Sequence, residues 1–267
     1  MHAVINDIVS STEKRVRNLK TRTEPYDNRE ICEDRRNILT LINERKKKGK
    51  VAVIAEVKPA SPGKKLRDIE PEDAVIIATE MEKAGAVAIS VLTEPEFFHG
   101  SLDNLRAVRD DISLPVLRKD FIIDEKQFNE EKSDLILLIA GILGDRLVKM
   151  VDIAISKGFE PLVEIHNESE LEKALDTKAK IIGINNRDLS NLEINLDTTL
   201  RLIPLIKRFD SENNQSHIVI SESGMHTAED IKRVIEAGAD AVLVGTSIIK
   251  SGKIYAKTKE LVDALDN

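Results

Sequence analysis

The sequence predicts an α/β fold, a (β/α)8 barrel with an N-terminal helical extension. From residue 51 onward, eight short apolar and β-branched runs alternate with amphipathic stretches. Parallel strands need a crossover between them, so this alternation predicts a parallel sheet. The length of 267 residues suits one such barrel. A doubly wound open sheet is the alternative, but no G-x-G-x-x-G follows the first strand, which disfavours its dinucleotide-binding form.

Residues 1–50 are predicted to form a helical extension. It packs on a barrel formed by residues 51–267, and the two together make one domain. The apolar residues of the extension are spaced as two helix faces on either side of Pro25: Val4, Ile5, Ile8 and Val9, then Ile31, Ile38, Leu41 and Ile42. The basic run at 46–50 could be a nucleic-acid patch. A helix C-terminus with Gly49 as its stop explains it better, because cations there complement the helix dipole.

The eight predicted strands share an apolar composition that is typical of strands buried on both faces. They are Val51–Glu56, Val87–Leu92, Pro115–Lys119, Leu135–Ile139, Pro161–Glu164, Ile181–Ile184, Ile218–Ser221 and Ala241–Val244. Pro71, followed by two acids, predicts the start of the first barrel helix. Gly85, Gly158 and Gly238 predict helix ends.

Composition excludes several classes of protein. The net charge is −7 with no sustained basic stripe, and only 3% of residues are aromatic, so nucleic acid is not an expected partner. No apolar run approaches the roughly 18 residues of a membrane span, and no signal-peptide core stands at the N-terminus. The single cysteine, Cys32, fits a reducing compartment. We therefore expect a cytoplasmic protein without a membrane partner.

Polar residues follow the predicted strands, at the end of the barrel where active sites form. They are Glu56 and Lys58 after strand one, Lys119 after strand three, Glu164 after strand five, Asn185 after strand six, and Glu222 and Ser223 after strand seven. Two lysines and three glutamates at one apolar rim should perturb each other's pKa values, which favours proton-transfer catalysis.

Each of these residues also has a simpler interpretation when it is taken alone. Lys119 fits a surface lysine, Glu164 fits an acid near a helix N-terminus, and residues 185–188 fit an ordinary loop. His99 and His166 fit loop positions better than metal ligands, because no second ligand stands at a suitable spacing. We expect no metal.

The last two units predict a phosphate site. Glycine stands next to hydroxyl residues in Ser221–Gly224 and in Val244–Ser247, and a helical stretch follows each segment. Glycines let backbone N–H groups approach an anion, and the loops after strands seven and eight commonly bind phosphate in such barrels. Tight packing of loop against helix is the alternative. We predict a small phosphorylated molecule as the substrate.

With these residues assembled, the chain resembles the indole-3-glycerol-phosphate synthase family of tryptophan biosynthesis. Seven motifs, in the family's order, carry the resemblance: Ala55–Pro62, Leu92-Thr-Glu with Phe98–Ser101, Leu117–Ile122, Pro161–Ile165, Gly183–Leu189, Ser221–Gly224 and Leu243–Ser247. The N-terminal helical extension is also a feature of that family.

The resemblance implies closure of a carboxyphenylamino-deoxyribulose phosphate to indole glycerol phosphate, carbon dioxide and water, without cofactor or metal. It implies Lys119 as general acid, Lys58 as partner of the substrate carboxylate, and Glu164 and Glu56 in proton transfer and dehydration. It leaves open which glutamate is acid and which is base. The remaining implied contacts are polar (Asn185, Glu222, Ser223), to phosphate (Ser61, Gly224, Gly245, Thr246) and to the anthranilate ring (Phe98, Phe121, Leu192). Other enzymes of the tryptophan pathway are the candidate protein partners.

Two departures and two rivals accompany this resemblance. Pro59 and Gly63 stand where the family commonly has a basic residue and a serine, which bears on how the first loop contacts substrate and closes.

Phosphoribosylanthranilate isomerase is the first rival. It is disfavoured because strand one ends in Glu56 and Lys58, whereas the isomerase family has a cysteine there. A non-catalytic phosphate-binding barrel is the second, and it should have lost an acid–base group, which this chain has not.

Overall fold

A computed structural model describes residues 2–19 and 36–266, and these residues include a closed barrel of eight parallel strands. The strands are β1 (Val53–Val57), β2 (Ala88–Leu92), β3 (Val116–Lys119), β4 (Leu135–Ile139), β5 (Glu160–Ile165), β6 (Ile181–Asn185), β7 (Ile218–Glu222) and β8 (Ala241–Val244). Each pairs with its neighbours in sequence, and β1 closes the ring by pairing with both β2 and β8. The predicted fold is confirmed, and the predicted strand bounds agree to within two residues.

The strands read as unbroken apolar runs because both of their faces are covered. Every residue of β1, β2, β4, β5 and β8 is buried. One face packs into the barrel interior, where Ile54, Leu117 and Leu162 belong to a single apolar cluster. The other face packs under the outer helices, in a second and larger cluster. Such burial of both faces is what a parallel barrel requires.

Three of the barrel helices begin or end at residues predicted from the sequence. The helices of the described residues are α1 (Ala3–Asn18), α2 (Ile38–Lys47), α3 (Pro71–Lys83), α4 (Leu102–Asp111), α5 (Ala140–Leu143), α6 (Leu147–Ser156), α7 (Glu168–Leu175), α8 (Asp197–Asn213), α9 (Ala228–Glu236), α10 (Thr246–Ser251) and α11 (Ile254–Val262). Pro71 is the first residue of α3, and Gly85, Gly158 and Gly238 have positive φ just after their helices. No helix of the described ranges is long and apolar enough to cross a membrane.

The connection between β3 and β4 departs from the predicted alternation of strand and helix. It contains only a 3-10 helix, Glu125–Asn129. Gln127 holds this connection together, since its side chain accepts the N–H groups of Ile123 and Asp124 and donates to the carbonyl of Phe121. Side-chain hydrogen bonds therefore satisfy backbone groups that an α-helix would satisfy internally.

The helix α1 lies at the C-terminal ends of the barrel strands. Its Arg15 donates to both carboxylate oxygens of Asp120, which follows β3, at 2.9 and 3.0 Å. Just before α1, the N–H of His2 donates to the carbonyl of Leu189 at 2.6 Å. The N-terminal residues thus contact the end of the barrel where the predicted site lies.

The helix α2 contacts the opposite end. Arg36, just before it, donates to the carbonyl of Leu114 at 2.9 Å, and Lys46 pairs with Asp240, which precedes β8. The basic run begins in the last turn of α2, which ends as predicted, with Gly49 at φ 67°. Cys32, Pro25 and Ile31 lie outside the described residues, and the division of the chain at residue 50 stays a prediction.

A buried ionic network fixes the end of β3. The side chain of Arg118 is 0% exposed and donates to Asp120 at 3.0 Å, to Glu130 at 2.7 Å and to the carbonyl of Gln127 at 2.7 Å. Burial alone would raise the pKa of Asp120, but Arg118 and Arg15 hold it below its ordinary value. Since Lys119 lies between Arg118 and Asp120 in the sequence, the network sets where its backbone emerges.

Arg118→Met should lower the free energy of unfolding by about 3–5 kcal/mol, because it leaves buried carboxylates without a cation. Guanidinium denaturation measures the change. Arg233→Met is the matched control: Arg233 pairs with Asp197 at the surface, and its loss should cost less than about 1 kcal/mol. Equal losses in the two variants would contradict the role given to Arg118.

Candidate active site

All fourteen site residues predicted from the sequence line one of two cavities at the C-terminal ends of the strands. The larger, here called the apolar cavity, has a volume of about 860 Å3 and is lined by Lys58, Ser61, Phe98, Lys119, Phe121, Glu164, Asn185, Leu192 and Ser223 among others. The smaller, the polar cavity, has a volume of about 540 Å3 and is lined by Glu56, Lys58, Lys119, Glu222, Ser223, Gly224, Gly245 and Thr246 among others. Lys58, Lys119 and Ser223 line both, so the cavities adjoin there.

Four charged side chains form what we call the acid–base layer: Glu56, Lys119, Glu164 and Glu222. They come from β1, β3, β5 and β7, and inward side chains of alternate strands share a layer in such barrels. The ammonium of Lys119 donates to Glu222 Oε2 at 2.6 Å and to Glu164 Oε2 at 3.2 Å. The sequence predicted that these groups converge; the structure places one lysine between two carboxylates.

The intervening strands supply small residues that leave space for these carboxylates. A Cβ atom on Gly183 would lie 2.2 Å from Glu222 Oε1, and one on Gly245 would lie 2.6 Å from Glu56 Oε1. On β2, Ser90 donates to Glu56 Oε2 at 3.3 Å. Gly245, predicted only for the phosphate site, therefore also makes room for Glu56.

The pKa values within the acid–base layer diverge. Burial alone would lower the pKa of Lys119, but the surrounding carboxylates raise it well above its ordinary value. Burial alone would raise the pKa of Glu164, but Lys119 and His166 lower it well below its ordinary value. Burial and the nearby charge of Glu164 outweigh Lys119 at Glu222 and raise its pKa to about 7. At neutral pH the layer therefore holds a charged lysine, an ionised Glu164 and a Glu222 that exchanges its proton.

The apolar cavity contains two phenylalanine rings at its wall. The centroids of Phe98 and Phe121 are 6.0 Å apart with the ring planes tilted by 36°. Phe98 is positioned by the buried carboxylate of Glu94, which accepts its N–H at 2.9 Å and that of Phe97 at 2.7 Å. Gly100 allows this turn, since a Cβ atom there would lie 2.4 Å from the carbonyl oxygen of Leu92.

Lys58 lies between the charged and the apolar parts of the site. Its ammonium is 3.3 Å from Glu56 Oε1 and 5.6 Å from the centroid of the Phe98 ring. A cation in this position can bind a carboxylate attached to an aromatic ring in the apolar cavity.

The polar cavity is formed by the ends of β7 and β8. Gly224 has φ 89°, and Ser223 before it has φ 65°, a conformation that is unusual for serine. The helix α10 begins at Thr246 without a side-chain cap, so its first N–H groups remain available. Ser61 lies elsewhere: it lines the apolar cavity and not the polar one.

The sequence analysis assigned no role to Arg187, whose segment 185–188 fits an ordinary loop when it is taken alone, but Arg187 lines both cavities. It donates to the carbonyl of Leu192 at 2.9 Å, and burial lowers its pKa without a paired carboxylate among the causes. An arginine that retains its charge at every relevant pH is suited to a phosphate.

Two asparagines at the end of β6 have different tasks. Asn185 lines the apolar cavity and accepts the N–H of Arg187 at 3.0 Å. Asn186 is buried and donates to Ser221 Oγ at 3.0 Å and to the carbonyls of Glu222 and Ser223 at 2.9 and 3.0 Å. Asn186 thus holds the end of β7, which its position in a polar loop did not indicate.

Pro59 and Gly63, the two departures in the first loop, belong to a small hairpin: Pro59 directly precedes it and Gly63 lies in its turn. Ala60–Ser61 pairs with Lys64–Lys65, Gly63 turns with φ 72°, and the carbonyl of Pro59 accepts two N–H groups from Leu66 and Arg67. Proline therefore keeps an acceptor at a position where it contributes no donor. In the part of the chain that is described, no three His, Cys, Asp or Glu side chains are grouped to hold a metal ion.

Comparison with known proteins gives one consistent family. The family model described as "Indole-3-glycerol phosphate synthase" matches residues 5–261. A relative of that name from Methanocaldococcus jannaschii is 38% identical over 97% of this chain and 98% of its own length. Relatives of that name from Halobacterium salinarum and Dehalococcoides mccartyi strain ATCC BAA-2266 are 44% and 47% identical, covering 81% and 79% of this chain and 82% of their own lengths. The chain belongs to the indole-3-glycerol phosphate synthase family.

Proposed function

We propose that this chain closes 1-(2-carboxyphenylamino)-1-deoxyribulose 5-phosphate to indole-3-glycerol phosphate, with release of carbon dioxide and water. Its family supports the reaction, which makes the chain a carboxy-lyase. The observation that carries the proposal is the position of Lys119, charged and held by two carboxylates at the junction of the apolar and polar cavities.

Placement of the substrate follows from the two cavities. The anthranilate ring fits beside Phe98, Phe121 and Leu192, and the phosphate fits the polar cavity near Gly224 and Thr246. The sugar carbonyl then lies between them, within reach of Lys119. Holding both ends of the substrate brings the ring carbon to the carbonyl carbon and reduces the entropic part of the barrier.

The first bond forms between the ring carbon that bears the carboxylate and the carbonyl carbon. Lys119 donates a proton to the carbonyl oxygen as this bond forms, since its pKa is raised and it remains protonated. Lys58 binds the carboxylate until the carbon–carbon bond breaks and carbon dioxide leaves. The partly buried setting of Lys58, with Phe98 beside it, limits how much water stabilises that carboxylate.

Dehydration requires an acid for the departing hydroxyl group and a base for the proton that is lost as the indole forms. Glu164 is ionised and is the base, whereas Glu222 carries the proton that the departing water needs. Glu56 stays close to Lys58 at 3.3 Å, and Glu164 can pass the proton it has gained to Lys119, at 3.2 Å, between turnovers. Atoms and charge balance because one carbon dioxide and one water leave per product, and Glu222 regains from solvent the one proton that loss of the ionised carboxylate consumes.

The substrate is a small phosphorylated molecule. A cytoplasmic location and contacts with other enzymes of the tryptophan pathway are further proposals, and the sequence composition supports the former. The isomerase alternative is disfavoured because the chain matches the synthase family model. It is also disfavoured because Glu56 and Lys58 stand at the end of β1.

The purified protein should form the indole fluorophore from this substrate without added metal.

Lys119→Ala should lower kcat at least about 100-fold with little change in KM. The reason is that the substitution removes the proton donor but neither cavity. Indole fluorescence followed over a range of substrate concentrations gives kcat and KM. Lys126→Ala is the control, because Lys126 is an exposed lysine on the same connection. No product from folded protein would refute the function, and near-normal kcat in Lys119→Ala would remove Lys119 from its role.

Arg187→Gln should weaken the binding of inorganic phosphate by about 10-fold or more, because a charged hydrogen bond contributes about 1.5–3 kcal/mol. Competition by phosphate against the substrate measures the affinity. Arg233→Gln, at an exposed arginine, should leave it unchanged. An unaltered phosphate affinity in Arg187→Gln would argue against the polar cavity as the phosphate site. Gly245→Asp is a poorer test, since it also displaces Glu56.

The pH dependence of kcat should show a limb near pH 7 that Glu222→Gln removes. The pKa of Glu222 is raised to about 7, so its proton is present below that pH and lost above it. If Glu222 is the acid for dehydration, kcat falls as pH rises through this value. A profile of Glu222→Gln that keeps the same limb would assign it to another group.

A further inference from the structure

His166 lies behind Glu164, on the side away from Lys119. It follows β5 directly, and its side chain is 5% exposed. Its Nε2 is 3.4 Å from Glu164 Oε1, while Lys119 contacts the other oxygen, Oε2, at 3.2 Å. The carboxylate of Glu164 thus has one cation-capable partner on each oxygen.

We propose that His166, held in place by Glu170, is a positioning residue that directs the carboxylate of Glu164 toward Lys119 and the substrate. This inference rests on the proposed function, because it concerns which carboxylate acts as the base.

Glu170 fixes the orientation of the imidazole. Its Oε2 is 2.9 Å from His166 Nδ1 and also accepts the backbone N–H of His166 at 2.9 Å. Its Oε1 accepts the side-chain amide of Asn167 at 3.0 Å. A Cβ atom on Gly141 would lie 2.6 Å from this oxygen, so Gly141 leaves the space that Glu170 occupies.

The ring is not needed to cap the helix that follows. Asn167 is the N-cap of α7, and its side chain accepts the N–H of Glu170 at 3.0 Å. The imidazole instead bridges from this cap to the acid–base layer. A role limited to helix capping therefore leaves the contact with Glu164 unexplained.

The surroundings favour the charged form of the ring. Glu164 faces it from β5 and Glu170 from α7, and Asp188 in the loop after β6 also interacts with it. Burial alone would lower the pKa of His166, but the carboxylates outweigh burial and raise it to about 9. Both ring nitrogens then carry protons. Nδ1 lies at hydrogen-bond distance from Glu170, whereas Nε2 faces Glu164 Oε1 at 3.4 Å in an ion pair that lacks hydrogen-bond geometry.

The charged ring of His166 explains why the two glutamates that contact Lys119 have different pKa values. Glu222 lies closer to Lys119 than Glu164 does, 2.6 Å against 3.2 Å, yet it is Glu222 whose pKa is raised. Oε1 of Glu222 has no hydrogen-bond partner among the described residues, whereas Oε1 of Glu164 faces His166. His166 thereby selects Glu164 as the carboxylate that stays ionised.

A double-mutant cycle tests whether His166 acts through Glu164. His166→Gln should lower kcat about 10- to 100-fold with KM changed less than about threefold, and the same change in a Glu164→Gln background should alter kcat less than about twofold. Single-turnover measurements with enzyme in excess give the rates of the slow variants. Equal factors in both backgrounds, or a normal kcat for His166→Gln, would overturn the proposal.

His217→Gln is the matched control. His217 is equally buried, at 5% exposed, and its ring contacts Asp210 at the opposite end of the barrel, before β7. This substitution should reduce stability without altering kcat. A similar loss of kcat would mean that removing any buried histidine slows the enzyme, which would also overturn the proposal.

Titration of ¹⁵N-labelled histidine by NMR, without substrate, tests the contact independently of activity. The midpoint of His166 should lie near 9 and fall by about one unit or more in Glu170→Gln and in Glu164→Gln. A midpoint near the ordinary value of about 6.5 in the unmodified protein would overturn the proposal. If the unmodified protein forms no indole product, the proposed function fails, and the titration still decides whether His166 holds Glu164.

Discussion

A single ammonium group shared by buried carboxylates determines the chemistry of this site. Removing an ion from water costs several kcal/mol even after the protein relaxes, so a buried carboxylate stays ionised only beside a cation. Lys119 can compensate one of its two glutamates well, and the other must then exchange a proton near neutral pH. One lysine in a dry barrel therefore produces an acid and a base from two chemically identical side chains.

The rest of the molecule keeps that lysine where two differently shaped cavities meet. Arg118, on the other face of β3, is fully buried and ties the strand end to Asp120 and Glu130. Asp120 in turn contacts Arg15 on α1, so the N-terminal helix and the strand that carries Lys119 share one ionic network. A substitution at Arg15 could consequently affect turnover without touching substrate.

Sequence alone predicted the barrel and the convergence of the site, because apolar runs alternate with amphipathic stretches and polar residues follow strands one, three, five, six and seven. It could not predict contacts between residues far apart in the chain: Arg15 and Asp120 are separated by 105 positions. The absence of an α-helix between β3 and β4 could not be predicted either. The side chain of Gln127 satisfies backbone groups of that loop, and such hydrogen bonds leave no periodic pattern in the sequence. His166 was interpreted as a loop residue because no second metal ligand stands at a suitable spacing, and nothing in the sequence indicates that its ring faces Glu164.

The glycines beside the acid–base layer have a consequence for protein engineering. Glu222 occupies the volume that a side chain at Gly183 would need, and Glu56 does the same at Gly245. Transferring the four charged residues alone to another eight-stranded barrel would make their carboxylates clash with side chains of the neighbouring strands. The two glycines must be transferred with them. The absence of a side chain at these two positions is therefore as necessary to the arrangement as the four charged groups are.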